Sequence, residues 1–291
     1  MAGRPGIEVD PGRNRKMERD PMTIRATGRV PGATRRVFWE HKAGEYTSPF
    51  EERMLSWTEK VIGIVEKRGV IVDGMRLLDI GCGTGGFALP LALLGASVTG
   101  LDFSGNMLKR LTAEAERLGI EDVKTVRGSW KRIDLPGAGL EGAFDIVISA
   151  LSTAVETARD VLKMERCSTR WCVYVASGKV SRSRACKEAL LSVGAPLNPR
   201  PDIRDMKKRL EGMGRRFIYE SFTNSVKYEK SVEDVVKELA GRLEAAGARP
   251  DMKEIGDAVR RCRAGSAGRK GTIRFRRRFD TGILMWRVDE G

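Results

Sequence analysis

A glycine-rich turn in the first third of the chain constrains its fold more than any other feature. Residues 77–86 read LLDIGCGTGG, a hydrophobic run that ends in an aspartate and then breaks into glycines. An apolar helix is predicted over 85–94, and a second strand over 97–102 ends in Asp102. A strand–loop–helix–strand unit with a terminal acid is typical of proteins that bind a nucleoside-containing cofactor, with the acid on its ribose.

The charge beside the glycines narrows the choice of cofactor. Gly81, Gly83 and Gly86 have the G-x-G-x-x-G spacing of dinucleotide-binding proteins, which alone identifies no cofactor. Asp79 lies two residues before the first glycine, where a carboxylate is unfavourable beside a pyrophosphate. A ligand with an ammonium group and a sulfonium would tolerate that carboxylate. The pattern therefore favours a cationic cofactor over a nicotinamide dinucleotide.

These segments resemble the class I S-adenosylmethionine-dependent methyltransferases. The resemblance rests on 79–85 (DIGCGTG), on Asp102-Phe103-Ser104 with Met107-Leu108, and on a fourth strand at 144–149, and it covers roughly residues 38–178. It implies in-line methyl transfer, with the glycine loop along the methionine part of the cofactor and Asp102 on both ribose hydroxyls. Ser129-Trp130 would flank the adenine, although the family often has Asp where Ser129 stands. The cofactor-binding residues predicted on this basis are Asp79, Gly81, Cys82, Gly83, Gly85, Asp102, Phe103, Met107, Ser129, Trp130, Ser149, Trp39 and Tyr46.

Strand and helix patterns alternate from residue 75 onward, which predicts an α/β fold with a doubly wound, mostly parallel sheet. Strands are predicted at 76–80, 97–102, 123–127, 144–149 and 171–176, with helices at 85–94, 104–118, 152–165 and 182–193. Ser104 is predicted as the N-cap of the helix that follows Asp102. After Pro201 a strand at 217–226 precedes helices at 231–246 and 251–262. Two further strands, 273–279 and 283–288, are predicted with a turn or bulge at 280–282. The resemblance implies seven strands with an antiparallel edge pair, and the predicted order of elements places a helical insertion between the last strands.

The sequence divides into four predicted regions. Residues 1–35 have no apolar period and predict a flexible basic tail, or an arm ordered by a partner. Residues 36–70 predict a helical lid, 71–200 the cofactor-binding core, and 201–291 the edge strands with their insertion.

The predicted lid carries most of the candidate catalytic residues. Trp39 and Tyr46 are seven positions apart and would share one helix face, like the Trp/Tyr helix that closes over the cofactor in many small-molecule methyltransferases. His41 is the only histidine and, with Tyr46, a candidate general base. Glu40 and Tyr174 are further candidates.

Charge and missing motifs bear on the methyl acceptor. The formal net charge is +14, and residues 260–278 hold nine basic residues and no acid. That segment could attract nucleic acid or an anionic substrate, or form a solvated edge. The chain lacks the Asn/Asp-Pro-Pro-Tyr and Pro-Cys or Thr-Cys motifs of base-modifying enzymes. A small-molecule acceptor is therefore the leading hypothesis. The alternatives are an RNA methyltransferase, and a protein-modifying methyltransferase or a binding subunit.

Composition also bears on location and metal binding. No apolar stretch reaches the length of a membrane span, and no signal-peptide core is present at the N-terminus. Five irregularly spaced cysteines and one histidine indicate neither a disulfide framework nor a metal centre. These observations predict a cytoplasmic protein.

Overall fold

A seven-stranded sheet forms the centre of the fold. The computed structural model describes residues 40, 49–182, 202–245, 249–263 and 272–289. The strands are β1 Arg76–Ile80, β2 Ser97–Asp102, β3 Val123–Arg127, β4 Phe144–Ala150, β5 Ser168–Arg182, β6 Ile218–Ser231 and β7 Thr272–Arg287. Their order in the sheet is β3-β2-β1-β4-β5-β7-β6. Strands β1 to β5 pair in parallel, and β7 is antiparallel to both β5 and β6. The predicted mostly parallel sheet with an antiparallel edge is confirmed.

Helices cover both faces of this sheet. They are α1 Glu52–Lys67, α2 Ala88–Leu93, α3 Gly105–Leu118, α4 Ala158–Cys167, α5 Ile203–Gly212, α6 Val232–Ala245 and α7 Met252–Arg263. Because successive strand side chains point to opposite faces, Leu77 and Leu78 of β1 belong to different hydrophobic clusters. The Leu77 cluster includes residues of α1, α2 and α3, and the Leu78 cluster includes residues of α4 and α5. Within the described ranges, no helix has the length and apolar character that a membrane crossing requires.

The sheet reverses its winding direction at β1. Strand β2 lies on one side of β1 and β4 on the other, both parallel to it. In open α/β sheets, ligands bind outside the carboxyl ends of the strands at such a switch point. Asp79, near the end of β1, Asp102, at the end of β2, and Ala150, at the end of β4, therefore lie at one edge of the sheet.

The loop after β4 is longer than the sequence pattern predicts. A helix was expected over 152–165, but α4 begins at Ala158. Thr157 caps it: its hydroxyl accepts from the Asp160 amide at 3.2 Å, and the Asp160 carboxylate accepts from the Thr157 amide at 2.8 Å. This capping box fixes the helix start. Residues 151–157 consequently remain a loop at the carboxyl edge of the sheet.

The predicted turn or bulge at 280–282 is wrong, because β7 is one continuous strand. Thr281 and Gly282 stay in register with Ser177 and Ala176 of β5, and the irregularity lies in β5, just after Ser177. A Cβ at position 282 would lie 2.4 Å from Cγ1 of Ile203, the first residue of α5. Gly282 therefore allows α5 to pack close to β7 and does not form a turn.

Strands β5, β6 and β7 continue beyond the end of β4, and past Arg182 of β5, within the described residues, the pair β6 and β7 continues alone as a two-stranded ribbon. The pairing runs from Ile218↔Met285 to Ser231↔Thr272. Helices α6 and α7 connect the two strands at the far end of this ribbon, where Leu239, Ile255 and Ile273 belong to a third hydrophobic cluster. The helical insertion expected between the last two strands is thus present. The helix predicted over 182–193 lies outside the described residues apart from Arg182, which ends β5.

Replacing Gly282 by alanine tests the packing of α5 on β7. The added methyl group would overlap Ile203, so we expect the free energy of unfolding to fall by about 1–3 kcal/mol, the usual cost of overpacking a core. Urea denaturation measures this change. Gly241→Ala in α6 is the control, since nothing lies within 4 Å of its Cβ position. Alanine should stabilise that helix by about 0.5–1 kcal/mol. Equal effects at the two positions would contradict the packing argument.

Candidate active site

The turn after β1 is held against the ends of its neighbouring strands. The amides of Gly81 and Cys82 both donate to the Leu101 carbonyl of β2, at 2.7 and 3.1 Å. Gly81 has φ +76°, and a Cβ there would lie 2.0 Å from the hydroxyl of Ser152 in the loop after β4. Any larger residue at 81 would therefore separate two loops that meet at this edge of the sheet.

The next two glycines face different surroundings. Gly85 has φ +91°, and a Cβ there would lie 2.9 Å from Cγ of Leu89, so this glycine brings the turn onto α2. Gly83 has φ +55°, and its Cβ position has no described atom within 4 Å. The turn thus packs on protein at Gly81 and Gly85 and leaves space beside Gly83.

Asp79 carries a buried and incompletely satisfied carboxylate. The residue is 2% exposed, and the Ala88 amide partly opposes the effect of burial on the pKa of its carboxyl group. Its Oδ2 atom has no hydrogen-bond partner among the residues that the structure describes. Burial, and secondarily the charge of Asp102, raises the pKa of Asp79 to about 7. A buried carboxylate of this kind favours a cationic or hydrogen-bond-donating ligand.

Asp102 is the second buried carboxylate at this edge. Its Oδ2 accepts from the Gly83 amide at 3.0 Å, and its Oδ1 accepts from the Ser104 amide at 2.8 Å. Burial raises the pKa of Asp102, although these amide donors oppose the shift. Each carboxylate oxygen can accept a further hydrogen bond. Asp102 can therefore hold the glycine turn and still receive two hydroxyl groups.

Residues 77–168 match the model of a family described as "Methyltransferase domain". We refer to these residues as the methyltransferase domain, after the family that they match. The matched residues run from β1 through α4 into the first residue of β5, so they include the glycine turn, both buried carboxylates and the loop after β4.

Two curated relatives and one solved structure show what the chain is similar to. The chain is 38% identical to a phosphatidylethanolamine N-methyltransferase of Cereibacter sphaeroides over 96 residues, 32% of this chain and 45% of the relative. It is 28% identical to a ubiquinone biosynthesis O-methyltransferase of Psychrobacter cryohalolentis over 141 residues, 44% of this chain and 51% of the relative. The matches thus span about half the length of these relatives.

The solved structure is from Galdieria sulphuraria and is provisionally assigned as a sarcosine dimethylglycine methyltransferase. It aligns with a TM-score of 0.51 at 15% identity, over 88% of this chain and 99% of that chain. At this level of identity the alignment shows a shared fold.

S-adenosylmethionine is the cofactor of the methyltransferase domain's family, and the residues at the β1–β2 edge fit it. The cofactor has an ammonium group, for which the unpartnered Asp79 oxygen is a suitable acceptor. Its two ribose hydroxyls match the remaining acceptor sites of Asp102. The space beside Gly83 would be filled by a side chain at that position. The charge, the hydrogen-bond acceptors and the free space at this edge of the sheet therefore fit S-adenosylmethionine.

Other predicted site residues of the methyltransferase domain are buried in packing contacts. The Ser149 hydroxyl is fully buried and donates to the Ile80 carbonyl at 3.2 Å. Cys82 belongs to the hydrophobic cluster of Leu77, and burial raises the pKa of its thiol. Met107 is 2% exposed on α3, and its amide donates to the Ser104 hydroxyl at 3.2 Å, which confirms Ser104 as the N-cap of that helix. The roles of these side chains in cofactor binding stay predictions.

The remaining predicted cofactor-binding residues in the described part of the chain differ in exposure. Phe103 and Ser129 are half-buried. Trp130 is 3% exposed within the hydrophobic cluster of Leu78, and its indole Nε1 has no partner in the described part of the chain. Lys163 holds this loop, because its ammonium donates to the carbonyls of Trp130 and Ile133 at 2.8 and 2.5 Å. The loop that contains Trp130 and Ile133 is therefore fixed to α4.

The structure describes only some of the residues that were predicted in the lid or as catalytic candidates. Trp39, His41 and Tyr46 lie outside the described residues, so their roles stay predictions. Tyr174 is 1% exposed among the residues of the Leu78 cluster, where burial raises the pKa of its hydroxyl. Glu40 lies at the N-terminus of α3, close to Asp102, a contact that no local sequence signal indicated.

The first residue after β4 has a strained backbone. Leu151 has φ +50°, and it is the only non-glycine residue of the described chain with a positive φ. Its amide donates to the Val175 carbonyl of β5 at 2.8 Å. Bulky residues rarely adopt this conformation, and such strain concentrates at functional sites. The strained residue begins the loop at 151–157, in which Ser152 lies against Gly81.

Proposed function

We propose that the protein is an S-adenosylmethionine-dependent methyltransferase that acts on a small-molecule acceptor by in-line transfer. The observation that carries this proposal is the pair of buried carboxylates, Asp79 and Asp102, around a glycine turn with space beside Gly83. The relatives named as phosphatidylethanolamine and ubiquinone-pathway methyltransferases support an acceptor that is neither nucleic acid nor protein.

Asp102 would accept hydrogen bonds from the ribose hydroxyls, and Asp79 would pair with the ammonium group. The backbone of Gly81, Gly83 and Gly85 would lie along the methionine part, and Ser129-Trp130 would flank the adenine. When bound, S-adenosylmethionine supplies an electrophilic methyl group on its sulfonium. The protein's contribution is then to align the acceptor and to exclude water.

The loop at 151–157 is the described segment best placed to contact the acceptor. It follows β4 at the edge where Ser152 packs on Gly81, so it adjoins the proposed cofactor site. A general base is needed only where the acceptor must lose a proton before or during attack. His41 and Tyr46 remain the candidates for that role.

Methyl-labelled S-adenosylmethionine tests the function directly. An extract of the source cells is separated into small metabolites, nucleic acid and protein, and each fraction is incubated with the full chain. We expect label in the metabolite fraction, and no transfer with heat-inactivated protein. Label in nucleic acid alone would overturn the small-molecule assignment and indicate the basic segment 260–278 as the contact surface. Label in protein alone would overturn it in favour of a protein-modifying enzyme.

A further inference from the structure

The Glu40 side chain lies on the N-terminus of α3. Its carboxylate accepts from the Ser104 hydroxyl at 2.9 Å and from the amides of Gly105 and Asn106, both at 3.0 Å. The Asn106 side-chain amide donates to the Glu40 carbonyl at 3.1 Å. A carboxylate at this position receives backbone donors that have no partner within the helix. Glu40 is thus attached to α3 through both its side chain and its backbone.

Ser104 connects Glu40 to the proposed ribose-binding residue. The Ser104 hydroxyl donates to Glu40, while the Ser104 amide donates to Oδ1 of Asp102 at 2.8 Å. The other oxygen of Asp102 accepts from the Gly83 amide. A continuous series of hydrogen bonds therefore runs from Glu40 through Ser104 and Asp102 to the glycine turn. Loss of Glu40 would remove one of the contacts that hold Ser104, the residue that orients one oxygen of Asp102.

Arg127 offsets the negative charge that Glu40 brings to this place. It ends β3 in register with Asp102, and its guanidinium lies 3.6 Å from the Glu40 carboxylate. The same guanidinium covers the start of α3, since a Cβ at Gly105 would lie 3.1 Å from its Cζ. The Asn106 amide, followed by the Ser104 hydroxyl and the Gly105 amide, lowers the pKa of Glu40. Glu40 is therefore ionised at neutral pH.

We propose that Glu40 is a positioning residue for cofactor binding, which orients Asp102 through Ser104. This inference rests on the proposed function, because it assumes that Asp102 binds the ribose. Binding of the cofactor to Asp102 and the contact of Glu40 with α3 both favour the same arrangement of Ser104 and Asp102. Each of them must therefore strengthen the other. Cofactor binding and the attachment of Glu40 to α3 are thus coupled, over 62 positions of sequence from Glu40 to Asp102.

Glu40→Ala tests this coupling, with Glu141→Ala as the matched control. Glu141 also loses one negative charge on substitution, but it pairs with Arg166, which lies in α4. We expect the Kd for S-adenosylhomocysteine, measured by titration calorimetry, to rise about fivefold to thirtyfold in Glu40→Ala. The KM for S-adenosylmethionine should rise by a similar factor with little change in kcat. The melting temperature of the ligand-free variant should stay within about 2 °C of wild type, since Glu40 is a partly exposed surface residue. Glu141→Ala should leave Kd, KM and kcat unchanged.

A double-mutant cycle with Ser104→Ala tests the proposed route. If Glu40 acts through Ser104, the Kd of the double variant for S-adenosylhomocysteine should be about equal to the larger of the two single-variant Kd values. Fully additive losses would contradict this route, and wild-type affinity in Glu40→Ala would overturn the positioning role. A lower kcat with unchanged KM would also overturn it. Wild-type protein that binds no S-adenosylhomocysteine would instead overturn the proposed function on which the inference rests.

Discussion

Asp79→Asn is expected to stabilise the ligand-free protein above pH 7 and to weaken its binding of S-adenosylmethionine. The first effect follows from the pKa of Asp79, which is about 7 in the folded protein against an ordinary 3.8. Between these values the folded protein holds a proton that the unfolded chain has released. The stability of the wild type therefore falls as pH rises through this range, and the loss is complete above pH 7. A difference of about three pH units corresponds to a loss of about 4 kcal/mol.

The asparagine side chain carries no charge at any of these pH values. The Asp79→Asn variant should therefore not lose stability through this group as pH rises. Urea denaturation at pH 5, 6, 7 and 8 measures the free energy of unfolding of both proteins. We expect the difference in favour of Asp79→Asn to increase by about 2–3 kcal/mol between pH 5 and pH 8. A constant difference across this range would contradict a raised pKa at Asp79.

The effect on cofactor affinity has the opposite sign. Pairing with an ammonium group requires the ionised carboxylate, so wild-type affinity should fall as pH is lowered below 7, by up to about tenfold per unit. Asparagine removes the attraction and should raise the Kd for S-adenosylmethionine about tenfold or more at pH 8. Calorimetry at pH 6 and 8 measures both effects. A variant that loses stability and affinity together would indicate a structural role for Asp79 in place of a ligand contact.

The residues that sequence alone placed correctly depend on local signals. Asp79, Gly81 and Asp102 occur where a strand ends and a turn begins, and the alternation of strands and helices brings these ends to one edge. Ser104 was likewise predicted as a helix cap from its neighbours, and its hydroxyl accepts from the Met107 amide. Such features need only a few consecutive residues.

The features that were missed depend on contacts between distant parts of the chain. Gly282 reads as a turn residue, and only the position of Ile203 shows that it serves helix packing. Ser149 is at the predicted edge, yet its hydroxyl is used by the Ile80 carbonyl, 69 positions away. The attachment of Glu40 to Ser104 spans 64 positions. No window of sequence contains both partners of such contacts, so pattern reasoning cannot find them.

Asp102→Ala is expected to raise the Kd for S-adenosylhomocysteine by about tenfold to a hundredfold, which corresponds to about 1–3 kcal/mol for hydroxyl groups left without partners. The loss has two sources, because Asp102 would bind the ribose and also orients the Gly83 and Ser104 amides. Asp257→Ala is the charge-matched control, since Asp257 forms an exposed ion pair with Arg260 on α7. This control should bind as the wild type does.

An analogue of S-adenosylhomocysteine that lacks both ribose hydroxyls separates the two sources. A site that accepts hydrogen bonds from a ligand rejects the analogue without those donors, because its buried acceptors lose their partners. The wild type should therefore bind the analogue much more weakly than S-adenosylhomocysteine. Asp102→Ala should bind the two ligands with similar affinity, since the acceptor is gone. If the variant still discriminates as strongly as the wild type, Asp102 does not bind the ribose, and its carboxylate only maintains the glycine turn.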